Sequence, residues 1–168
     1  MVVPMAVPPV EKRFQTLCQI TRAQHFAWRE ALVRSCPDAD VVAVTGRMWE
    51  VAGRDTAQAY VKRIDRARPL AAQVADGIVW SSQSMGEDAT VEAGASDREA
   101  YVRHRACPWV DWHRKLGILG EDRPGCDTWF RATVDEVNRA LGTRLVVETL
   151  ETLPDGAPSC LRRIREAP

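Results

Sequence analysis

Apolar residues recur every three or four positions through the first half of the chain, which is the spacing of an amphipathic helix. This pattern predicts a first helix over residues 10–36, and the Cys36-Pro37 pair ends it because the residue before a proline disfavours helical geometry. A second helix is predicted over residues 40–64, and a third begins at Pro69. The predicted inward side chains of the second helix are Val41, Val44, Met48, Val51 and Ala52.

After residue 87 the pattern changes to strands. Two strands are predicted in "ATVEAGAS" and "EAYVRHRAC", and two more in "TRLVVETLETL" and "CLRRIR". In the second of them, Val102 and His104 face one way, while Arg103 and Arg105 face the other, because side chains alternate along a strand. The resulting picture is an antiparallel sheet with two distinct faces.

Two further helices are predicted among these strands. Pro108 begins a short helix that ends near Gly117, and residues 126–141 form a longer helix with one apolar face. The preceding "GEDRPG" is predicted as a loop, which puts Cys126 in the first helical turn. Helices followed by strands of this kind predict an α+β fold, with N-terminal helices packed on one face of a small antiparallel sheet.

The length of 168 residues indicates a single domain with its own core. Within residues 1–168 we expect a flexible tail at 1–9, a helical half at 10–85, and an α+β half at 87–166 that carries most of the cysteines. The N-terminus lacks the features of a signal peptide, and no apolar run approaches the roughly 20 residues of a membrane span. The sequence therefore predicts a cytoplasmic protein that does not bind membranes.

Basic and acidic residues balance at 23 each. This neutrality argues against a nucleic-acid partner, because nucleic-acid-binding proteins usually present a basic face. Arg162, Arg163 and Arg165 form the best candidate for a local basic patch, and we interpret them as a solvated strand edge. A small-molecule partner is the remaining expectation, and an exposed tryptophan-rich surface could form a homodimer.

The candidate chemistry lies in the cysteines, of which there are five and no Cys-x-x-Cys pair. Cys107 precedes Pro108 and is predicted to be a helix N-cap, where the helix dipole would lower the pKa of its thiol. His113 and Asp111 follow on the next turn as candidate acid or base. Cys126 and Cys160 also lie at the ends of elements, where sites are commonly built; the alternative is that these thiols are buried packing residues.

The cysteine-bearing segments resemble a known family. "CPW…LGI…GCD…ETLPDGAPSCLRRIR" is similar to the L-2-amino-thiazoline-4-carboxylic acid hydrolase-like proteins, which share a distant likeness with 4-vinyl-reductase-type domains. The similarity covers residues 98–166. The matching positions are Cys107-Pro108, Cys126-Asp127, and Pro154, Gly156 and Cys160 followed by Arg162 or Arg163.

The resemblance implies a cysteine-dependent hydrolase that opens a small nitrogen heterocycle, such as a thiazoline or cyclic amidine, in a biosynthetic pathway. A thiolate, from Cys107 or Cys126, would attack the ring carbon, and His113 or Asp111 would protonate the leaving atom. No cofactor is implied. The expected substrate-binding residues include Arg103 and Arg105, either of which would hold a carboxylate, and Cys160. Trp109, Trp112 and Trp129 would form an apolar wall around the substrate.

Two other functions stay open from the sequence. Cys107, Cys126 and Cys160, with His113 or Asp111, have the donor chemistry of a zinc-thiolate site, although their spacing is unlike standard zinc motifs. A non-catalytic small-molecule-binding module of the 4-vinyl-reductase type would use the same aromatic side chains without turnover.

Overall fold

A computed structural model describes residues 7–167 of the chain, and the predicted tail over residues 1–9 lies largely outside that range. Helices come first and antiparallel strands follow, which confirms the predicted α+β class. Within the described range there are five α-helices and four strands. They are α1 (Val10–Ser35), α2 (Val41–Val61), α3 (Leu70–Ser84), β1 (Asp88–Ala93), β2 (Glu99–Ala106), α4 (Pro108–Lys115), α5 (Asp122–Leu141), β3 (Leu145–Glu151) and β4 (Cys160–Glu166).

The chain divides into two compact units, one ending at Ala39 and the other beginning at Asp40. The first unit contains α1, and the second contains α2–α5 and the whole sheet. The expectation of a single domain stays a prediction. In residues 7–167, no helix is both long enough and apolar enough to cross a membrane.

The four strands form one antiparallel sheet in the order β1-β2-β4-β3. In the pairing of β2 with β4, His104 lies opposite Cys160 and Val102 lies opposite Arg162. All four of these residues are buried, and they point to the same side because side chains alternate along each strand. We call this side the inner face and the opposite side, which carries Arg103, the outer face.

The core lies between the inner face and three helices of the second unit. The strands contribute alanine, valine, isoleucine and leucine side chains, while α3 and α5 contribute aliphatic side chains and one phenylalanine. This arrangement confirms helices on one face of the sheet. The fully buried members include Val74, Ile78, Val102, Val134, Val137 and Ile164.

The apolar stripe predicted to be inward on α2 is wrong. Val44, Met48 and Val51 are exposed, and the buried positions of α2 are instead Gly53, Ala57 and Tyr60. The reason is close packing against α5, since a Cβ added at Gly53 would lie 2.6 Å from the carbonyl oxygen of Trp129. Small residues therefore decide which face of α2 is buried, although hydrophobic periodicity points elsewhere.

The start of α5 also differs from the prediction. The helix begins at Asp122, so most of "GEDRPG" is helical or forms the short 3-10 turn Leu119–Glu121. Pro124 is tolerated in the first turn because the first N–H groups of a helix have no intrahelical partner. Cys126 consequently lies in the second turn, with Asp122 one turn before it.

Candidate functional site

The structure brings Cys107, Cys126 and Cys160 to one end of the sheet. Cys160 begins β4, next to the end of β2, and Cys107 follows β2 as the N-cap residue of α4. The charge of Cys126 is close enough to raise the pKa of Cys107, and that of Cys160 raises the pKa of Cys126. We call these three side chains the thiol cluster.

The expected lowering of the Cys107 pKa is wrong, although its N-cap position is confirmed. Burial raises the pKa of this thiol far above its ordinary value, and the nearby charges of Glu87 and Cys126 raise it further. The backbone N–H of Val110 opposes these effects only weakly. Cys107 therefore favours the neutral thiol, because desolvation outweighs the helix terminus.

Cys126 and Cys160 differ in the neighbouring groups that oppose the rise of the thiol pKa on burial. Burial raises the pKa of Cys126 to about 12, and the positive charge of Arg162 opposes that rise. Burial also raises the pKa of Cys160, but here the Leu153 N–H donates a hydrogen bond to Sγ at 3.2 Å and Arg162 adds a second favourable interaction. Cys160 thus has two groups that favour its thiolate.

A buried histidine–carboxylate pair lies beside the thiol cluster. Nδ1 of His113 is 2.9 Å from Oδ2 of Asp122 and 2.9 Å from the carbonyl oxygen of Trp109. Both neighbours are acceptors, so Nδ1 carries the proton. Asp122 raises the pKa of all three thiols, which places its carboxylate near each of them. The sequence analysis missed Asp122 because it assigned that residue to a loop.

A second such pair involves His104 on the inner face. Its Nε2 lies 2.9 Å from Oγ of Ser82 and 3.2 Å from Oε2 of Glu87. The other carboxylate oxygen of Glu87 accepts a hydrogen bond from Trp109 Nε1 at 3.1 Å. Nδ1 of His104 is buried and makes no hydrogen bond. The strand pattern placed His104 on one face with Val102, but neither Glu87 nor Ser82 was predicted from the sequence.

Arg162 lies on the inner face rather than at a solvated strand edge, so that interpretation is wrong for this residue. Its side chain is only 2% exposed and donates to Oδ1 of Asp127 at 3.1 Å. The guanidinium carbon lies 4.3 Å from the centre of the Phe130 ring. Oδ1 of Asp127 also accepts a hydrogen bond from Thr149 at 2.7 Å. Nε of Arg162 is buried without a hydrogen-bond partner.

Three of the predicted site residues are not brought to the thiol cluster. Arg103 and Arg105 lie on the outer face, where Arg103 donates to Glu92 at 2.6 Å. Strand alternation is the physical reason, since it separates both arginines from His104. Asp111 is exposed and pairs with Arg114, because α4 buries Val110 and His113 instead.

Two of the three predicted wall tryptophans, Trp109 and Trp129, pack against other aromatic rings. Trp109 contacts Glu87 through its indole N–H and packs edge-on against Trp49, with ring centres 5.4 Å apart. Trp129 packs edge-on against Phe130 at 5.1 Å. The ring of Trp112 instead lies 5.3 Å from the Lys115 ammonium. Trp49, an additional member from α2, was missed by the sequence analysis.

The zinc alternative requires at least three suitable donors around one point. Among residues 7–167 no group of three or more His, Cys, Asp and Glu side chains is arranged to hold a metal ion. The thiol cluster therefore offers no ready zinc site in this arrangement of side chains.

Comparisons with known proteins identify a family and a fold. The family model described as L-2-amino-thiazoline-4-carboxylic acid hydrolase matches residues 18–164. Among solved structures, a trafficking protein particle complex subunit 3 from Naegleria fowleri, covalently bound to palmitic acid, has a TM-score of 0.53 at 14% identity, covering 94% of this chain and 97% of that chain. The phenol-responsive sensory domain of the transcription activator PoxR, with phenol, also has a TM-score of 0.53. It is 16% identical, and the match covers 87% of this chain and 74% of that chain. The comparison with curated proteins finds none that matches.

Proposed function

The chain belongs to the L-2-amino-thiazoline-4-carboxylic acid hydrolase family, and from that premise we propose that it is a cysteine-dependent hydrolase that opens a small nitrogen heterocycle at a ring C–N bond. The family description indicates hydrolysis of a thiazoline that carries a carboxylate. The observation that carries the proposal is the meeting of three thiols, a buried arginine and a carboxylate-held histidine at one end of the sheet.

Arg162 is the group best suited to bind the substrate carboxylate, the role that the sequence analysis gave to Arg103 or Arg105. A guanidinium has five N–H donors in a planar fork, and Asp127 engages only one of its nitrogens by hydrogen bond. Nε is buried without a partner. An incoming carboxylate would satisfy such a donor, and burial makes this charge-assisted hydrogen bond stronger than it would be in water.

His113 is the proposed acid that protonates the leaving ring nitrogen. Asp122 holds the ring through Nδ1 and thereby makes Nε2 the nitrogen that exchanges a proton. A carboxylate behind the imidazole also stabilises the imidazolium form that must donate this proton. The pair is buried, so bulk water does not compete for its proton.

The test uses L-2-amino-thiazoline-4-carboxylic acid as the probe and follows ring opening by chromatography. The wild-type protein should turn it over, whereas a variant with Cys107, Cys126 and Cys160 all replaced by serine should lose more than about a hundredfold in kcat. Cys36→Ser is the matched control, because this cysteine is exposed and lies in the first unit. Full activity in the triple variant would refute cysteine dependence.

A non-catalytic binding module is the second candidate function. Both structural relatives are described with a small molecule bound, palmitic acid in one and phenol in the other. The same experiment separates the two functions. Calorimetric binding of the thiazoline without any ring opening would favour the binding module over the hydrolase.

A further inference from the structure

Cys160 and His104 are direct neighbours across two strands. They are paired residues of β4 and β2, and both point to the inner face. Side chains opposite each other in an antiparallel pair have Cβ atoms about 5 Å apart. Both are buried, so a thiol and an imidazole lie side by side on the inner face, away from bulk water.

The orientation of His104 makes it a base. Its Nε2 lies 2.9 Å from the Ser82 hydroxyl and 3.2 Å from Oε2 of Glu87, and because a carboxylate oxygen only accepts hydrogen bonds we assign the ring proton to Nε2. Nδ1 is then the basic nitrogen of a side chain whose residue is paired with Cys160 in the sheet. This atom is buried and has no hydrogen-bond partner. A buried acceptor without a hydrogen bond destabilises the folded protein. Such atoms are typical of sites where a ligand binds or a proton is accepted.

Burial raises the pKa of Cys160, but two of its neighbours favour a negative sulfur. The Leu153 N–H already donates to Sγ at 3.2 Å, and Arg162 is the next inner-face residue on the same strand. The charged carboxylate of Asp122 acts in the opposite direction but is itself engaged by His113. At Cys107, by contrast, the named charges are Glu87, Cys126 and Asp122, and all three oppose ionisation.

We infer that Cys160 is the nucleophile of the proposed hydrolase, with His104 as its base and Glu87 as the positioning residue that orients His104. This inference rests on the proposed function and narrows it to one thiol. It differs from the sequence analysis, which gave Cys107 and Cys126 the catalytic role and Cys160 a role in substrate binding.

The atoms and electrons of the proposed reaction balance with water as the only co-reactant. His104 takes the thiol proton, sulfur bonds to the ring carbon, and the C=N electron pair moves to the ring nitrogen, which receives that proton. The ring C–N bond then breaks as the His113 imidazolium protonates the leaving nitrogen, and the exocyclic nitrogen forms a C=N bond and returns a proton to His113. Water finally adds its oxygen to the carbon; the bond to Cys160 breaks, one water proton restores the thiol and the other goes to the exocyclic nitrogen.

Single serine variants test the assignment with the thiazoline probe. Cys160→Ser should lower kcat more than about a thousandfold, whereas Cys107→Ser should keep kcat within about tenfold of wild type. Activity of Cys160→Ser within tenfold of wild type would overturn the inference. If the triple serine variant is inactive at the same time, the proposed function stands and only the choice of thiol fails.

Thiol labelling tests the role of His104 without turnover. In the wild-type protein, iodoacetamide followed by peptide mass spectrometry should label Cys160 at a lower pH than Cys107 or Cys126, because His104 accepts its proton. His104→Gln should move the Cys160 labelling profile to higher pH, while Arg163→Gln on the outer face should leave that profile unchanged. Earlier labelling of Cys107 or Cys126 in the wild type, or an unchanged profile in His104→Gln, would overturn the assignment.

Discussion

Arg162 and Arg163 are adjacent in the chain and lie in opposite environments. The side chain of Arg162 is 2% exposed on the inner face and has one carboxylate partner, Asp127. The side chain of Arg163 is 31% exposed on the outer face, where it pairs with Glu148 and lies 3.6 Å from Glu99. The same residue type therefore carries its charge in a desolvated site on one face and in a screened ion-pair network on the other.

The difference separates two kinds of charge on this sheet. On the outer face, each arginine has a nearby glutamate and is partly exposed to solvent, and screened ion pairs of this kind contribute little to stability. On the inner face, Arg162 and His104 both retain a buried polar atom without a partner. Natural proteins keep few such atoms, so their concentration beside three thiols points to ligand binding rather than to structural support.

The largest effect is expected from removing the inner arginine. Arg162→Met leaves Asp127 without its buried partner and should lower the free energy of unfolding by about 2 kcal/mol. The same variant should raise KM for the thiazoline carboxylate by about a hundredfold, because a charge-assisted hydrogen bond is lost. Urea unfolding and steady-state kinetics measure the two effects.

Arg163→Met is the matched control for this prediction. It makes the same substitution one residue away, and the partly exposed Glu148 keeps Arg165 as a partner. Its KM and its unfolding midpoint should stay close to the wild-type values. Equal effects of the two substitutions would contradict the distinction between the faces.

A smaller effect is expected from a second pair of residues, in which one carboxylate is buried and the other exposed. Asp122→Asn should lower kcat by about a hundredfold with little change in KM, because the neutral amide stabilises the His113 imidazolium less well. Asp111→Asn changes a side chain that is 75% exposed and should leave kcat unchanged. A rise in KM at constant kcat for Asp122→Asn would assign Asp122 to substrate binding instead.

The element order and the faces of β2 could be predicted from the sequence because they follow from local patterns. Alternation in "YVRHR" placed His104 with Val102, and the proline after Cys107 identified a helix start. These features depend on backbone geometry over a few residues. They remain valid whatever packs against them.

The features that could not be predicted from the sequence depend on packing between residues that are far apart in the chain. Alternation along "CLRRIR" gives two faces but not which of them is buried, so Arg162 and Arg163 look alike in the sequence. The Cys107 pKa follows from burial and from Glu87, which is 20 positions earlier in the chain. The inward face of α2 follows from close contact with α5 at Gly53. No local periodicity carries this information.

The two faces should also limit stability at opposite ends of the pH scale. Cys126 has a folded-state pKa of about 12 against an ordinary value of 9.0, so the unfolded chain loses this proton first. Stability should therefore be intact below about pH 9 and fall as pH rises toward 12, by at most about 1.4 kcal/mol per pH unit for one thiol. Cys126→Ser should make this alkaline fall shallower.

The smallest effect is expected at the acid end, from Glu148 on the outer face. Hydrogen bonds from Arg163 and Arg165 hold its pKa below the ordinary 4.5, so its contribution is present above about pH 4.5 and is lost as pH falls through the lower folded value. Glu148→Gln should flatten only this acid limb, and added salt should reduce the difference because the pair is partly exposed to solvent. Urea midpoints from pH 3 to pH 11 separate the two limbs. If Glu148→Gln altered the alkaline limb, or Cys126→Ser the acid limb, the two faces would be coupled, and the division between a screened outer face and a desolvated inner face would fail.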